Sequence, residues 1–317
     1  MKPSQDTLSI ESSNGLRVTI VDSGATIESI AVPLPSGPIN AVLSYDEPRF
    51  YQTDPYYLGA TVGPFANRIS SSAFTLDGTT YQLDTNEIDR GNCLHGGTNG
   101  LHRRQFSIVR DDCGTRISCR TKLDNGDGGF PGNRSFEVIY ELVDDWSLAI
   151  DFIVTTDQDT IVNLANHAYF NLGGLIDDHW IRVNSEVYTP VDDSLIPTGE
   201  LRPVSGSEYD LREFQQLHDR RLDHNFVLDR SKEKPEPAAQ LLSKETGLEL
   251  SVLTTQPAMQ VYTGDYLSQP FRPRQGICLE AQGFPDAPNQ PYFPSTRLEP
   301  GAPYRQKTVY RFAFRAE

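Results

Sequence analysis

SLAIDFIVT, residues 147–155, is the stretch that decides the fold. Its large apolar side chains stand at every second position: Leu148, Ile150, Phe152 and Val154. A repeat of two is the pattern of a β-strand that buries one face in a core and turns the other outward. The stretch therefore predicts a strand near the middle of the chain.

The same alternation recurs later in the chain, at residues 248–252 and 310–315. Turn-forming pairs separate the strand-like runs: Asp77-Gly78, Asn125-Gly126, Asp144-Asp145 and Asp192-Asp193. The 24 glycines and 22 prolines provide the frequent turns that many short strands require. Residues 214–218 predict one short helical turn, and no long amphipathic helix is indicated.

The organisation of the chain favours one large unit. No period of roughly 20–50 residues repeats, which argues against a propeller or a solenoid. Residues 231–237, a charged stretch containing proline, are interpreted as a surface loop and not as a domain boundary. The sequence thus predicts the all-β class, with residues 1–317 forming a single large antiparallel β-sandwich.

The charge of the chain limits its partners. The formal net charge is −15 and the isoelectric point is near 4.8. Nucleic-acid binding depends on contacts between phosphates and Lys or Arg, so nucleic acid is not expected as a partner. A neutral ligand is expected instead. No apolar run approaches the roughly 18–20 residues of a membrane span, so no membrane partner is expected.

The cysteines and the N-terminal residues predict a cytoplasmic protein. The first residues lack a basic segment followed by an apolar one, so a secretion signal is not indicated. The cysteines are scattered without CxxC pairs, and reduced thiols are expected: Cys93, Cys113, Cys119 and Cys278.

Two segments carry polar residues that suggest chemistry. In IVNLANHAYFNL, residues 161–172, a continuous strand would place His167 on one face with Asn163, Tyr169 and Asn171. That face suits a ligand rich in hydroxyl groups, although a core histidine satisfied by its neighbours has the same pattern. In GICLEAQGF, residues 276–284, Glu280 would oppose an apolar face. A buried carboxylate is costly unless it is hydrogen-bonded or functional, whereas a half-exposed glutamate at a sheet edge is the simpler alternative.

Five further positions offer polar groups to a ligand. His95 precedes two glycines in CLHGG, Asn67 and Arg68 end GPFANR, Asp223 opens DHNF, and Gln260 lies in MQVYTG. Amides and carboxylates interleaved with aromatic residues are typical of carbohydrate sites, and equally typical of β-sandwich cores. Taken alone, His95 is equally explained by a plain turn, and Arg68 by a surface ion pair.

Together the segments resemble the aldose 1-epimerase (galactose mutarotase) family, in order and across nearly the whole chain. The stretches that carry the resemblance are GPFANRI, FTLDGTTYQL, LHGG, GFPG, NLANHAYFNL, YTPVDDSLIPTG, LDHNF, MQVYTG and LEAQGFPDAPNQPYFPSTRLEPG. The chain departs from the family pattern at Pro64, where arginine is frequent, and at Phe106, close to a frequent tryptophan. The segment between His167 and Asp223 is also short.

The resemblance implies a large antiparallel β-sandwich, the galactose mutarotase-like supersandwich, with a monosaccharide in an open cleft on one sheet. It implies His167 as general acid and Glu280 as general base. It also implies these sugar-binding residues: Asn67, Arg68, His95, Asp223 and Gln260. An isomerase without cofactor, acting as a monomer or a homodimer, is expected.

The expected reaction interconverts the α and β anomers of free hexoses such as galactose and glucose by opening and reclosing the ring. With unshifted pKa values, a protonated imidazole and a carboxylate coexist near neutrality. A neighbouring carboxylate such as Asp223 is expected to help keep His167 charged.

Four alternatives stay open. A hexose-6-phosphate mutarotase would need a basic cluster, for which Arg103 and Arg104 are candidates. A non-catalytic carbohydrate-binding or sensing protein could share the fold. Glycoside hydrolysis would use Asp223 and Glu280 as its two carboxylates. A metal site on His95 and His167 is disfavoured, because no HExxH motif or close His/Cys spacing occurs.

Overall fold

The computed structural model describes residues 6–228 and 234–314, and this part of the chain consists of β-strands, turns and short 3₁₀ helices. The first nine strands are β1 Thr7–Glu11, β2 Arg17–Val21, β3 Thr26–Val32, β4 Ile39–Asn40, β5 Thr61–Val62, β6 Arg68–Ile69, β7 Ala73–Leu76, β8 Thr79–Gln82 and β9 Cys93–Leu94. The next nine are β10 Ser107–Arg110, β11 Arg116–Leu123, β12 Arg134–Asp144, β13 Ser147–Thr156, β14 Thr160–Ile161, β15 Ala165–Asn166, β16 Tyr169–Phe170, β17 His179–Val183 and β18 Val187–Thr189.

The remaining strands are β19 Arg202–Pro203, β20 Gln215–Gln216, β21 Asp223–Val227, β22 Glu236–Ser243, β23 Leu248–Thr254, β24 Ala258–Tyr262, β25 Ile277–Gln282, β26 Arg297–Leu298 and β27 Tyr304–Phe314. The 3₁₀ helices are Pro48–Gln52, Ser70–Ser72, Leu101–Arg103, Asp127–Gly129, Ile176–Asp178 and Ala287–Asn289.

Two large antiparallel sheets dominate the fold. The larger has nine strands in the order β10-β11-β12-β13-β27-β23-β22-β17-β20, and the smaller has six in the order β16-β25-β24-β21-β18-β19. Strands β1 to β4 form a further antiparallel sheet. The predictions of the all-β class and of large antiparallel sheets are confirmed.

The main core joins the two large sheets. The alternating side chains of β13, such as Ile150 and Phe152, are buried, and they share one apolar cluster with Val261 and Leu279 of the smaller sheet. Each fully buried side chain of this size contributes roughly 1.5–3 kcal/mol to folding. That cluster contains residues from Ile10 to Phe312. The single domain stays a prediction.

The smaller sheet has one apolar and one polar face, and this determines where the functional residues lie. Neighbouring residues of a strand point to opposite faces. Leu279 therefore faces the core, and Glu280 faces away from it. The register places Gln260 beside Glu280, and Tyr262 beside Cys278, on this outer face. A second apolar cluster containing Phe65 and Phe74 covers part of the same side.

Three local predictions were wrong. Residues 214–218 do not form a helical turn, because Gln215 and Gln216 pair with β17. Residues 161–172 are not one strand, because they pair in turn with β26, β5 and β25, although their even-numbered apolar side chains still share the main core. Of the surface loop predicted at 231–237, residues 231–233 lie outside the described residues, and Glu236 and Pro237 belong to β22.

The other general predictions concern thiols and membranes. All four cysteines are unpaired, as predicted. Within residues 6–228 and 234–314, no helix is long and apolar enough to cross a membrane.

Candidate active site

A cavity of about 250 Å³ opens on the outer face of the smaller sheet. Its lining is mostly polar and aromatic: Pro55, Tyr56, Tyr57, Asn67, Arg68, Glu87, Arg90, Leu94, His95, His167, Tyr169, Asp223, Tyr262, Tyr266 and Glu280. Pockets for drug-sized ligands occupy roughly 300–1,000 Å³, so this cavity suits one smaller ring. Aromatic rings can pack against the apolar face of a sugar ring, and the neighbouring polar groups can bind its hydroxyl groups.

The structure brings His167 and Glu280 together at the bottom of this cavity. His167 Nε2 lies 3.7 Å from Glu280 Oε1, and both side chains are buried. His167 sits between β15 and β16, where its backbone exchanges hydrogen bonds with Gly59 and Ala60. Glu280 lies on the interior strand β25, so the alternative of a half-exposed edge glutamate is wrong.

The carboxylate of Glu280 receives few hydrogen bonds from the protein. Its Oε2 is buried and has no hydrogen-bond partner among the described residues. Buried carboxylate oxygens are normally satisfied, and an exception calls for an explanation. A group that supplies the missing hydrogen bond, such as a sugar hydroxyl, would provide one.

Burial sets the protonation of this pair. It lowers the pKa of His167 to about 4, against a smaller opposite effect of the residue's own backbone. It raises the pKa of Glu280 well above its usual value, an effect that Asp223 strengthens and Arg68 opposes. Burial thus shifts the pKa values of both groups away from the unshifted values assumed from the sequence, in each case towards the neutral form.

Two hydrogen bonds join His95 and Asn67. The His95 N–H donates to the Asn67 carbonyl at 3.0 Å, and the Asn67 N–H donates to His95 Nδ1 at 3.1 Å. Both residues have positive φ, at 53° and 64°, a conformation of the kind that clusters at functional sites. Because Nδ1 accepts a backbone N–H, the neutral ring carries its proton on Nε2 and can donate only from there.

Arg68 is fixed by an ion pair with Glu87. Its Nε and Nη2 donate to the two Glu87 oxygens at 2.9 and 3.1 Å. Its Nη1 lies 3.8 Å from Asp223 Oδ2, and Gln260 Nε2 donates to Asp223 Oδ1 at 2.7 Å. Arg68 is 8% exposed, which rules out the surface ion pair. Two of its donating atoms are thus occupied, and Nη1 is directed towards the acidic side of the cavity.

Aromatic rings surround the histidines. The Tyr57 ring centroid lies 4.6 Å from that of His95 and 5.8 Å from that of His167. On the other side, Tyr169 lies 5.1 Å from His167. These contacts restrict how the His167 ring can turn.

The donor atoms of His95, His167 and Glu280 lie within 4.8 Å of one another, a spacing that a metal ion could bridge. The tautomer of His95 opposes this. Its Nδ1 accepts the Asn67 N–H, so Nε2 is protonated and neither nitrogen has a free lone pair. Metal binding here would require the loss of that hydrogen bond, and the residues present do not favour a metal site.

Six of the seven predicted site residues line the cavity: Asn67, Arg68, His95, His167, Asp223 and Glu280. Gln260 is buried and does not line the cavity, but its Nε2 donates a hydrogen bond to Asp223 Oδ1. Asn163 and Asn171, predicted on the face of His167, instead bind the backbone: Asn163 Oδ1 accepts the Gly283 N–H, and Asn171 Nδ2 donates to the Gln275 carbonyl.

Sequence reasoning missed Tyr57 and Glu87. Neither lies in a periodic run, and Tyr57 has a positive φ of 57° that no local pattern indicates. The Glu87 side chain reaches Arg68 from a loop, so only the folded chain reveals the pair.

The fold and the cavity define a β-sandwich protein with a buried histidine–carboxylate pair in a cavity for one small polar ligand. Residues 6–311 match the family described as Aldose 1-epimerase. The chain belongs to the aldose 1-epimerase family.

Named relatives and solved structures agree with this assignment. The aldose 1-epimerase of Escherichia coli K12 is 36% identical, over 96% of this chain and 94% of that protein. The human galactose mutarotase is 38% identical, over 94% of this chain and 91% of that protein. The structure of the GalM/aldose epimerase homologue from C. elegans matches with a TM-score of 0.92 at 29% identity, covering 99% of this chain and 100% of that one.

Proposed function

We propose that this protein is an aldose 1-epimerase, an isomerase that interconverts the α and β anomers of free hexoses such as galactose and glucose. The observation that carries the proposal is the buried pair of His167 Nε2 and Glu280 Oε1, 3.7 Å apart in a cavity for one ring. Two oxygens bonded to the anomeric carbon must exchange protons, and adjacent acid and base groups can reach both.

The pair carries one proton throughout the reaction. Glu280 removes the proton of the anomeric hydroxyl while the imidazolium of His167 protonates the ring oxygen, and the bond between the anomeric carbon and that oxygen breaks. The products are an open-chain aldehyde and a neutral pair, the form that burial favours. After rotation about the C1–C2 bond, the protons return along the same routes and the ring closes on the other face.

The other cavity residues bind and orient the sugar in this proposal. His95 Nε2–H and Arg68 Nη1 donate to sugar oxygens, and Asp223 accepts from sugar hydroxyls. The hydrogen bond from Gln260 keeps the Asp223 carboxylate in place. No cofactor is needed, because both protons move between the sugar and the pair.

A free sugar fits better than a phosphorylated one. Arg103 and Arg104 do not line the cavity: Arg103 donates to the Gln52 carbonyl, and Arg104 pairs with Asp127. Arg68 and Arg90, which do line it, are both paired with Glu87. The four unpaired thiols suit a reducing compartment, and we place the enzyme in the cytoplasm. A monomer or homodimer without nucleic-acid or membrane partners stays a prediction.

Polarimetry of fresh α-galactose and α-glucose tests the proposal. The wild type should accelerate relaxation of the optical rotation, and His167→Asn should lower kcat by about 10²–10⁴-fold. A protein that binds sugar but leaves the rotation relaxing at the solvent rate would be a non-catalytic binder. Faster turnover of glucose 6-phosphate, or release of the leaving group from an aryl glycoside, would support the phosphorylated-sugar or hydrolase alternatives instead.

A further inference from the structure

The ring of Tyr57, at the wall of the cavity, packs against two histidine rings. Its centroid lies 4.6 Å from that of His95 and 4.6 Å from that of His102. Both histidines are buried, and burial lowers the pKa of His95 well below its usual value and that of His102 to about 3. Both imidazoles are therefore uncharged near neutral pH, and they hold the Tyr57 ring by aromatic packing.

The backbone of Tyr57 adopts a conformation that a bulky side chain rarely takes. Its φ is 57°, in the left-handed region. Such a conformation persists only where the surrounding structure enforces it, and it is frequent at ligand sites. The Tyr57 carbonyl accepts the Ala60 N–H at 3.0 Å, and the Ala60 carbonyl accepts the His167 N–H at 2.9 Å. Two backbone hydrogen bonds thus fix Tyr57 relative to His167.

The hydroxyl oxygen of Tyr57 accepts a hydrogen bond, and its proton is free to be donated. Asn86 Nδ2 donates to this oxygen at 3.3 Å, and the same amide is fixed by two hydrogen bonds with the backbone of Leu94. No acceptor for the Tyr57 proton occurs among the described residues. Tyr169, which also lines the cavity, differs, because its hydroxyl donates to the Tyr56 carbonyl at 3.1 Å.

The Tyr57 hydroxyl keeps its proton over the whole range of pH in which the protein would work. Burial raises the pKa of Tyr57 to about 12, and the Glu87 carboxylate acts in the same direction. A neutral phenol in this position can donate one hydrogen bond to a ligand in the cavity.

We propose that Tyr57 binds the substrate directly, and that its hydroxyl donates a hydrogen bond to one sugar hydroxyl group away from the anomeric carbon. In the proposed reaction the two oxygens of the anomeric carbon belong to His167 and Glu280. The Tyr57 hydroxyl lies instead beside Asn86, in the loop that carries Glu87. The inference takes the ligand to be a hexose, and in that respect it rests on the proposed function. A site built to bind a hydroxyl group discriminates against an analogue that lacks it, so Tyr57 helps to select among sugars.

NMR titration with galactose tests the inference, together with the four derivatives that each lack the hydroxyl group at carbon 2, 3, 4 or 6. Tyr57→Phe keeps the ring and removes only the hydroxyl, so the Kd for galactose should rise about three- to tenfold, as the loss of one hydrogen bond allows. The Kd should rise similarly for three of the derivatives and stay unchanged for the one that lacks the partner hydroxyl. Tyr81→Phe is the matched control, because its ring stacks on Phe74 outside the cavity, and no Kd should change.

Rates provide the second measurement. In Tyr57→Phe the KM for galactose should rise together with the Kd, and kcat should change by less than about twofold. A hydroxyl group away from the anomeric carbon keeps its hydrogen bond while the ring opens, so its loss weakens the ground state and the transition state equally.

Two results would overturn the inference: an unchanged galactose Kd in Tyr57→Phe, or a rise of equal size for all four derivatives, which would indicate a disturbed cavity and not one lost hydrogen bond. A wild type that binds galactose without accelerating its mutarotation would refute the proposed reaction alone, and the Kd comparison would still decide the role of Tyr57. A wild type that binds none of these sugars would refute both.

Discussion

Two carboxylates of the segment LEAQGFPDAPNQ are buried to the same degree and held in opposite ways. Glu280 is 2% exposed and Asp286 is 1% exposed. Asp286 Oδ1 accepts from the Ser70 N–H at 2.9 Å and from Asn289 Nδ2 at 2.8 Å, and its Oδ2 accepts from Gln290 Nε2 at 3.3 Å. Glu280 has an oxygen without any partner in the described part of the chain.

The difference separates a carboxylate that stabilises the fold from one that is available to react with a substrate. Burying a charged group costs free energy unless hydrogen bonds replace the lost water. Asp286 recovers that free energy by fastening the loop after β25 to Ser70, next to Arg68. Glu280 recovers little from the protein, which leaves its oxygens available to a substrate. Both lie in the stretch that resembles the family, so only hydrogen bonding in the fold tells them apart.

The largest expected effect is on catalysis at Glu280. Glu280→Gln should reduce kcat for galactose mutarotation by about 10²–10⁴-fold, because the amide cannot take up the proton of the anomeric hydroxyl. Polarimetry gives the rate, and circular dichroism should show a native fold. Glu137→Gln is the matched control: its carboxylate pairs with Arg120 on the larger sheet, and its rate should equal that of the wild type. A Glu280→Gln enzyme with nearly full kcat would remove the distinction between the two carboxylates.

At Asp286 the effect should fall on stability. Asp286→Ala leaves the Ser70 N–H and two side-chain amides without their acceptor, and the free energy of unfolding should fall by about 2–3 kcal/mol. Urea denaturation measures it, with Asp193→Ala, at an exposed turn position, as the control. The folded fraction should keep kcat within a few-fold of the wild type. A loss of kcat comparable to that of Glu280→Gln, without loss of stability, would contradict the structural role.

Strands could be predicted from the sequence where one uninterrupted strand packs against the core along its length. The alternation at residues 147–155 was enough for β13, since every second side chain meets the core along one uninterrupted strand. Residues 161–172 alternate equally well but pair with three different strands in succession. Partners distant in sequence decide that outcome, and no pattern within the segment records them.

The site was predictable where the resemblance named residues, and not where the fold supplies partners. His167, Glu280 and Asp223, which the resemblance names, all line the cavity, and their roles stay a prediction. The ion pair between Glu87 and Arg68 joins a loop to strand β6, and the shifted pKa values of His167 and Glu280 come from burial by many residues. Both properties arise only once the chain has folded.

The smallest effect expected from this comparison is a gain in stability at Glu280. Burial raises the pKa of Glu280 in the folded protein. From its unfolded pKa near 4.3 upward, the folded wild type therefore holds a proton more tightly than the unfolded chain and loses stability as the pH rises. Glu280→Gln has no such loss. Its unfolding free energy should match the wild type near pH 4 and exceed it by up to about 1 kcal/mol at pH 7. Urea denaturation at several pH values measures the gain, and a gain independent of pH would show that the Glu280 carboxylate does not carry that cost.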